Sequence, residues 1–420
     1  MEQSGPESNK GAFPKDFLWG AATASYQVEG GIDNNDWAQA AREGKVPECG
    51  RACDHYSRYK EDFDIAKELG HNAHRFSIEW ARIEPEEGKF DEKEIEHYRA
   101  VLGALRARGL EPMVTLWHFT LPTWFVQSGG WLRKDAPQVF ARYAEKAAQE
   151  LGAQCAVMHT MNEPIVYASN GWFRGTWPPF EAFAATKQKG FARQMYMNAR
   201  SSGRLHLLPV PYFRVRRALV RAHNMAYTTI KSAHPEISVG LVKNVIVFSG
   251  MNVFTRTLAR IMNEHWTHTF MRGVAKSCDS IGVNYYFYNA FGDKTEYERT
   301  DAGWDMVPEK LGDALCMLRR YKKPLYVTEA GLADERDTYR AKYIRESVRG
   351  VERALQSGVD VRGFLYWSLL DNYEWADGFT KRFGLVDINY DTLERTIRPS
   401  AYTYRDLIRQ HTAHDRSEAS

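Results

Sequence analysis

The sequence predicts a single (β/α)8 barrel, a closed ring of eight parallel strands wrapped by helices and topped by long βα loops. Three observations carry that expectation. Short apolar runs alternate with segments of helical period along nearly the whole chain. Gly70, Gly109, Gly152 and Gly358 each stand where a helical run stops. Polar side chains gather at the carboxyl ends of the strand runs, where such barrels keep their chemistry. No G-x-G-x-x-G follows a strand, which removes the main reason to prefer an open dinucleotide-binding sheet. The barrel is expected over residues 11–410, with 1–10 and 411–420 as disordered tails.

The elements follow in order. The first run, Phe17–Ala22, leads into Ser25-Tyr26-Gln27-Val28-Glu29-Gly30, and a helical pattern covers Tyr56–Leu69. The second, Ala73–Ile78, carries Arg75 and precedes a helix at Lys93–Arg108. The third, Glu111–Trp117, ends in His118-Phe119 before the helix Ala136–Leu151. The fourth, Cys155–Met161, ends in Asn162-Glu163. Pro178–Leu208 has weak periodicity and reads as a long loop, ahead of a helix at Val215–Ala233. The fifth run is Ser238–Val242 and the sixth is Ser280–Asn284, ending in Tyr285-Tyr286; no helix is assigned between them. A helix at Glu309–Tyr321 precedes the seventh run, Leu325–Thr328, which ends in Glu329. A helix at Tyr339–Ser357 precedes the eighth, Gly363–Trp367, followed by Ser368 and Asp371-Asn372-Tyr373-Glu374-Trp375.

Composition narrows the classes. The chain has 420 residues, 44% apolar and 26% charged, which suits one large soluble domain. A formal net charge of +3, with no dense basic block, argues against nucleic acid as a partner. Five cysteines are few and odd in number, and Cys49 and Cys53 form a lone C-x3-C, so free thiols are expected. Cys155 and Cys278 fall near strand runs and read as small buried hydrophobes. Met1–Lys10 is polar, and no segment is long enough to span a bilayer. No membrane partner and a reducing, cytoplasmic setting are the expectation. The abundant aromatic residues fit both a large core and sugar-stacking faces, and composition does not separate the two.

Two glutamates carry the functional reading: Glu163 in Thr-Met-Asn-Glu-Pro and Glu329 in Tyr-Val-Thr-Glu-Ala-Gly. A carboxylate at the carboxyl end of a strand is wasted on packing, because it must be solvated or paired. In a barrel it points into the mouth, and two there are the minimum equipment for cutting a glycosidic bond. Other residues have dull readings when taken alone. A lone His118 is more often structural, a lone Arg75 a buried ion-pair partner, and Gln27 by itself means nothing. Their shared position at one end of the strands is what unrelated packing does not produce. His118, His159 and His223 have no metal-ligand spacing, and neither metal nor cofactor is expected.

On these residues the chain resembles glycoside hydrolase family 1, the β-glucosidase and β-galactosidase family, from about Phe13 to Ile408. The strongest blocks are Phe17–Gly30, Thr160–Pro164, Val327–Gly331 and Tyr366–Asp387. The resemblance implies Glu329 as nucleophile and Glu163 as general acid/base, with Arg75 and Tyr286 contacting Glu329. It implies Asn162 on the sugar 2-hydroxyl, and Gln27, His118, Glu374 and Trp375 on hydroxyls 3, 4 and 6. Trp367 would lie under the ring across a cis Trp367–Ser368 peptide, and Trp304 would line the leaving-group side. Glu374 implies a neutral sugar, because it would repel a 6-phosphate. An intact Glu163 separates the chain from the thioglucosidase branch. The implied partners are small β-glycosides or short oligosaccharides. Ala330 departs from the Asn usual after the nucleophile, and Thr176–Phe213 matches poorly. A transglycosylase using the same intermediate, and a non-catalytic barrel, are the other readings; oligomeric state is left open.

Overall fold

The computed structural model describes residues 13–183, 205–206 and 209–417. Eight parallel strands close into one barrel. They are β1 (Leu18–Ala22), β2 (Ala73–Ser77), β3 (Glu111–Thr115), β4 (Val157–Asn162), β5 (Ser238–Gly250), β6 (Ser280–Phe291), β7 (Leu325–Ala330) and β8 (Val361–Trp367). Each pairs with its neighbours in the chain, and β8 returns to β1. Every expected strand run is present. The register brings the strand ends to a common level: Ala22 stands opposite both Arg75 and Trp367, and Asn284 opposite both Asn244 and Glu329.

β5 and β6 run well past the ends expected at Val242 and Asn284. Beyond the barrel they continue as a two-stranded ribbon, from Ile246 opposite Phe287 to Gly250 opposite Phe291. The apolar run in β5 breaks at Lys243 and Asn244, which hid the continuation. Both side chains are buried, so the break in hydrophobicity is not a break in the strand.

A helix follows each strand: α1 (His55–Glu68), α2 (Glu92–Ala107), α3 (Ala136–Leu151), α4 (Val210–Ala233), α5 (Val253–Asn263), α6 (Leu311–Leu318), α7 (Arg340–Gln356) and α8 (Pro399–Ser417). The stripe of α3 shows why these segments are helical. Val139, Phe140, Tyr143, Ala147 and Leu151 recur every three or four residues and all are buried, with Pro137 in the first turn. α5 and α8 were not expected from sequence. The start of α5 is fixed by reciprocal bonds between Asn252 and Thr255, a cap without the Glu or Gln that makes such boxes readable. α8 enters the segment expected to be a tail. The His411 ring lies 5.8 Å from that of Trp19, nearly parallel, and 4.5 Å from that of Phe13. The other expected tail, residues 1–10, lies outside the described residues, as does most of the expected loop Pro178–Leu208.

Inside the barrel, Leu18, Met113, Val157, Tyr326 and Leu365 pack across from different strands. The main core lies between strands and helices. All five cysteines are free, and only Cys316 is exposed.

Candidate active site

Arg75 is fully buried on β2. Its guanidinium donates to Glu329 Oε1, to Asn162 Oδ1 at 2.7 Å and to Thr115 Oγ1 at 3.0 Å. Tyr286, from β6, donates its hydroxyl to Glu329 Oε2 at 2.7 Å. Both oxygens of Glu329 are therefore bound by donors, one of them cationic. Burial, and then the charge of Glu329, push the Tyr286 phenol well above its ordinary range. The turn after Glu329 is tight: a β-carbon on Gly331 would sit 1.9 Å from the Trp367 carbonyl oxygen. Only glycine fits there.

Glu163 stands just beyond β4, in the left-handed region at φ 42°, and opens the short helix Pro164–Trp172. That turn lifts its side chain off the strand. Its Oε1 accepts from Asn284 Nδ2 at 2.7 Å and from Asn244 Nδ2 at 3.1 Å. Asn284 is held in turn by Thr328 Oγ1 at 2.7 Å. These donors are neutral amides, in contrast to those on Glu329. Burial first, and then the charge of Glu329, raise Glu163 to about 7. The buried Lys243 opposes that rise, and burial lowers Lys243 itself to about 7.

Three side chains farther along keep buried polar atoms without partners: Gln27 Oε1, His118 Nδ1 and Glu374 Oε2. The Gln27 amide is fixed by Asn372 Oδ1 at 3.0 Å and the Tyr373 carbonyl at 2.7 Å. His118 Nε2 meets Asn162 Nδ2 at 3.2 Å. The imidazole lies nearly parallel to Trp367 and Trp375, each 5.9 Å away. Burial, then Arg75, hold His118 well below its usual range, so it is neutral. Burial, with Asp377 and then the two site glutamates, raises Glu374 to about 8.

One cleft of about 720 Å³ gathers His118, Asn162, Glu163, Tyr286, Trp304, Glu329, Trp367, Glu374 and Trp375. Of the residues expected in the site, Gln27 and Arg75 lie behind its wall. Trp304 packs on Phe287 at 4.7 Å, on the Tyr286 side. The Trp367–Ser368 peptide is cis, as expected. Sequence reasoning missed Asn244, Asn284 and Thr328 as the brace of Glu163. Asn244 lies two residues past the expected end of the fifth strand, so a longer strand would have brought it to the same level as the other strand-end residues.

An eight-stranded parallel barrel with two carboxylates braced at the carboxyl ends of its strands is the class of protein the structure defines. The glycosyl hydrolase family 1 model matches residues 9–273 and 242–413, and the chain belongs to that family. Beta-glucosidase A of Acetivibrio thermocellus is 31% identical, over 96% of this chain and 99% of that protein. Among solved structures, a beta-glycosidase from Pyrococcus horikoshii superposes with a TM-score of 0.84 at 34% identity, covering 96% of each chain. The beta-glucosidase from Thermotoga maritima in complex with castanospermine gives 0.84 at 27% identity, over 96% of this chain and 99% of that one. The chain is a glycoside hydrolase.

Proposed function

We propose that the protein is a retaining β-glycosidase that removes terminal, non-reducing β-D-glucosyl residues, with β-galactosyl and β-fucosyl residues also accepted. Glu329 attacks the anomeric carbon while Glu163 gives its proton to the departing oxygen. The glycosidic bond breaks, a glycosyl ester forms on Glu329, and the aglycone leaves as an alcohol. Water then attacks the anomeric carbon, losing its proton to Glu163, the bond from that carbon to the Glu329 oxygen breaks, and Glu329 is freed as a carboxylate.

The observation that carries this reading is the asymmetry between the two carboxyl groups. A nucleophile must be ionised, and Glu329 is gripped by a guanidinium and a phenol. A general acid must hold a proton near neutrality, and Glu163, at about 7, has only amides on its oxygen. Once Glu329 is esterified its charge vanishes, so Glu163 becomes the stronger acid and its conjugate base can take the proton of water. The unpartnered atoms of His118 and Glu374, which line the cleft, support sugar binding, because buried polar groups left unpaired are costly until a ligand satisfies them, and Gln27 is assigned to the sugar from the family resemblance. Asn162, held between Arg75 and His118, is assigned to the 2-hydroxyl, Trp367 and Trp375 to the sugar, and Trp304 to the leaving group.

Azide separates the two roles, because it is a small nucleophile that needs no proton. With an activated aryl β-glucoside, Glu329→Gly gives the α-glucosyl azide and Glu163→Gly the β-glucosyl azide. The products are assigned by NMR. The opposite pairing would reverse the roles, and full activity in both variants would end the proposal.

A further inference from the structure

Helix α5 is amphipathic in the reverse sense. Its packed residues are Thr255, Ala259, Met262 and Asn263, and Ala259 is its only fully buried one. Val253 is 80% exposed, Phe254 79%, Ile261 59% and Leu258 36%. At 3.6 residues per turn these four fall within an arc of about 140° on the side away from the barrel. Met251, 58% exposed, extends the patch before the helix. A helix on a soluble barrel normally turns such an arc inward, and a contiguous apolar surface marks an interaction site.

The charges beside the arc indicate what covers it. Arg256 and Arg260 border one edge. Among the described residues neither has a carboxylate partner; Arg256 donates only to the Gly250 carbonyl, at 3.3 Å. Met251–Asn263 contains no Asp or Glu, and the next residue, Glu264, already pairs with Arg272 and Arg320. A two-fold contact with a second copy would set this patch against itself and leave both arginines without a counter-charge. An anionic lipid surface supplies both missing partners, acyl chains for the arc and phosphates for the guanidinium groups. The arc also adjoins the cleft. Met262 and Trp266 line the cleft, and the Asn263 amide ties α5 to Phe248, another lining residue, at 2.9 and 3.1 Å.

We propose that α5 docks the protein on anionic lipid bilayers, lying in the interface with its apolar arc and holding the cleft mouth beside the lipid. The contact is peripheral, since among the described residues no helix is long and apolar enough to cross a membrane. It rests on the surface of α5 and not on the catalytic reading.

The test is co-sedimentation of the full chain with vesicles of phosphatidylcholine alone and with 30% phosphatidylglycerol. Wild type is compared with Val253→Ser/Phe254→Ser/Ile261→Ser and with Arg256→Gln/Arg260→Gln, each checked for folding by circular dichroism melting. Wild type is expected to sediment with the anionic vesicles, and the serine variant to lose at least about tenfold in partitioning. At about fivefold per charge, the arginine variant is expected to lose up to roughly 30-fold on anionic vesicles and little on neutral ones. No partitioning of wild type would overturn the proposal, as would equal partitioning of wild type and the serine variant. A dimer in light scattering that the serine substitutions dissolve would assign the face to a second copy instead.

Discussion

Replacing Glu163 by Gln should stabilise the fold at alkaline pH and leave it unchanged in acid. Glu163 rises from 4.5 to about 7 in the folded protein. The folded state therefore holds the proton more tightly than the unfolded chain, and stability falls as pH climbs through that window. The penalty is complete above pH 7, where the folded state too must ionise the buried carboxyl. At 1.36 kcal/mol per pH unit it reaches roughly 3 kcal/mol. Glutamine keeps an oxygen for the Asn284 and Asn244 amides but cannot ionise. We expect no difference in urea midpoint stability at pH 4.5 and a gain of about 1–3 kcal/mol at pH 8, with turnover of unactivated glucosides lost. A stability difference that stays constant across this range would mean that Glu163 does not titrate there. The acid/base assignment would then lose its physical basis.

Further outcomes follow from the same geometry. Glu329→Gln removes one of the two causes that raise Glu163, and burial is the larger, so a carbon-13 titration should find the Glu163 carboxyl lower by about one pH unit, with no change excluding coupling between the two groups. Glu374→Ala should cut turnover of β-glucosides at least tenfold with unchanged melting. Wild type should hydrolyse a 6-phosphoglucoside more slowly than the plain glucoside, and the reverse order would overturn the assignment of Glu374. In a crystal structure the Glu163 and Glu329 carboxyl carbons should lie about 5–5.5 Å apart, while a gap above about 8 Å would indicate inversion.

The parts of the fold that were legible in sequence are those where local chemistry and tertiary role agree. Most barrel strands begin in a short apolar run, and each expected helix has buried residues at helical spacing. Most of the site was legible for a related reason: in a parallel barrel, the residue following each run is delivered to one end, so sequence order becomes spatial order. Arg75, Asn162, Tyr286 and Glu329 come from β2, β4, β6 and β7, with Glu163 just beyond β4, yet five hydrogen bonds or fewer connect any two of them. The elements that escaped are those where the two levels disagree. β5 hides behind Lys243, a lysine buried where an apolar residue is expected. α5 shows its apolar side to solvent, so its pattern answers to no packing partner on the barrel. Asn244 could not be assigned without the true length of β5, and Asn284 was visible at a strand end but had no evident carboxyl to hold.

The charge balance of the cleft explains why its three carboxyl groups differ. Glu163, Glu329 and Glu374 face one cavity, and among the described residues Arg75 is the guanidinium bonded to one of them. Ionising all three in that volume would set like charges against one another with water largely excluded. Arg75 and Tyr286 both donate to Glu329. The remaining two rise, through burial first and neighbouring negative charge second, Glu163 to about 7 and Glu374 to about 8. The two raised groups are suited to different tasks. Glu163 accepts both amide hydrogen bonds on Oε1, which leaves its other oxygen for the proton that the proposed mechanism passes to a leaving group. Glu374 has a buried Oε2 with no partner, and a sugar hydroxyl could bond to it. Binding would then begin to change the balance before any bond breaks. A hydroxyl donating to Glu374 favours its ionised form, and that charge adds to the field that keeps the proton on Glu163. In the proposed mechanism, formation of the glycosyl ester removes the charge of Glu329 and reverses that push on Glu163. On the proposed mechanism a single buried arginine, by binding Glu329, marks the carboxyl that attacks and leaves Glu163 to carry the proton.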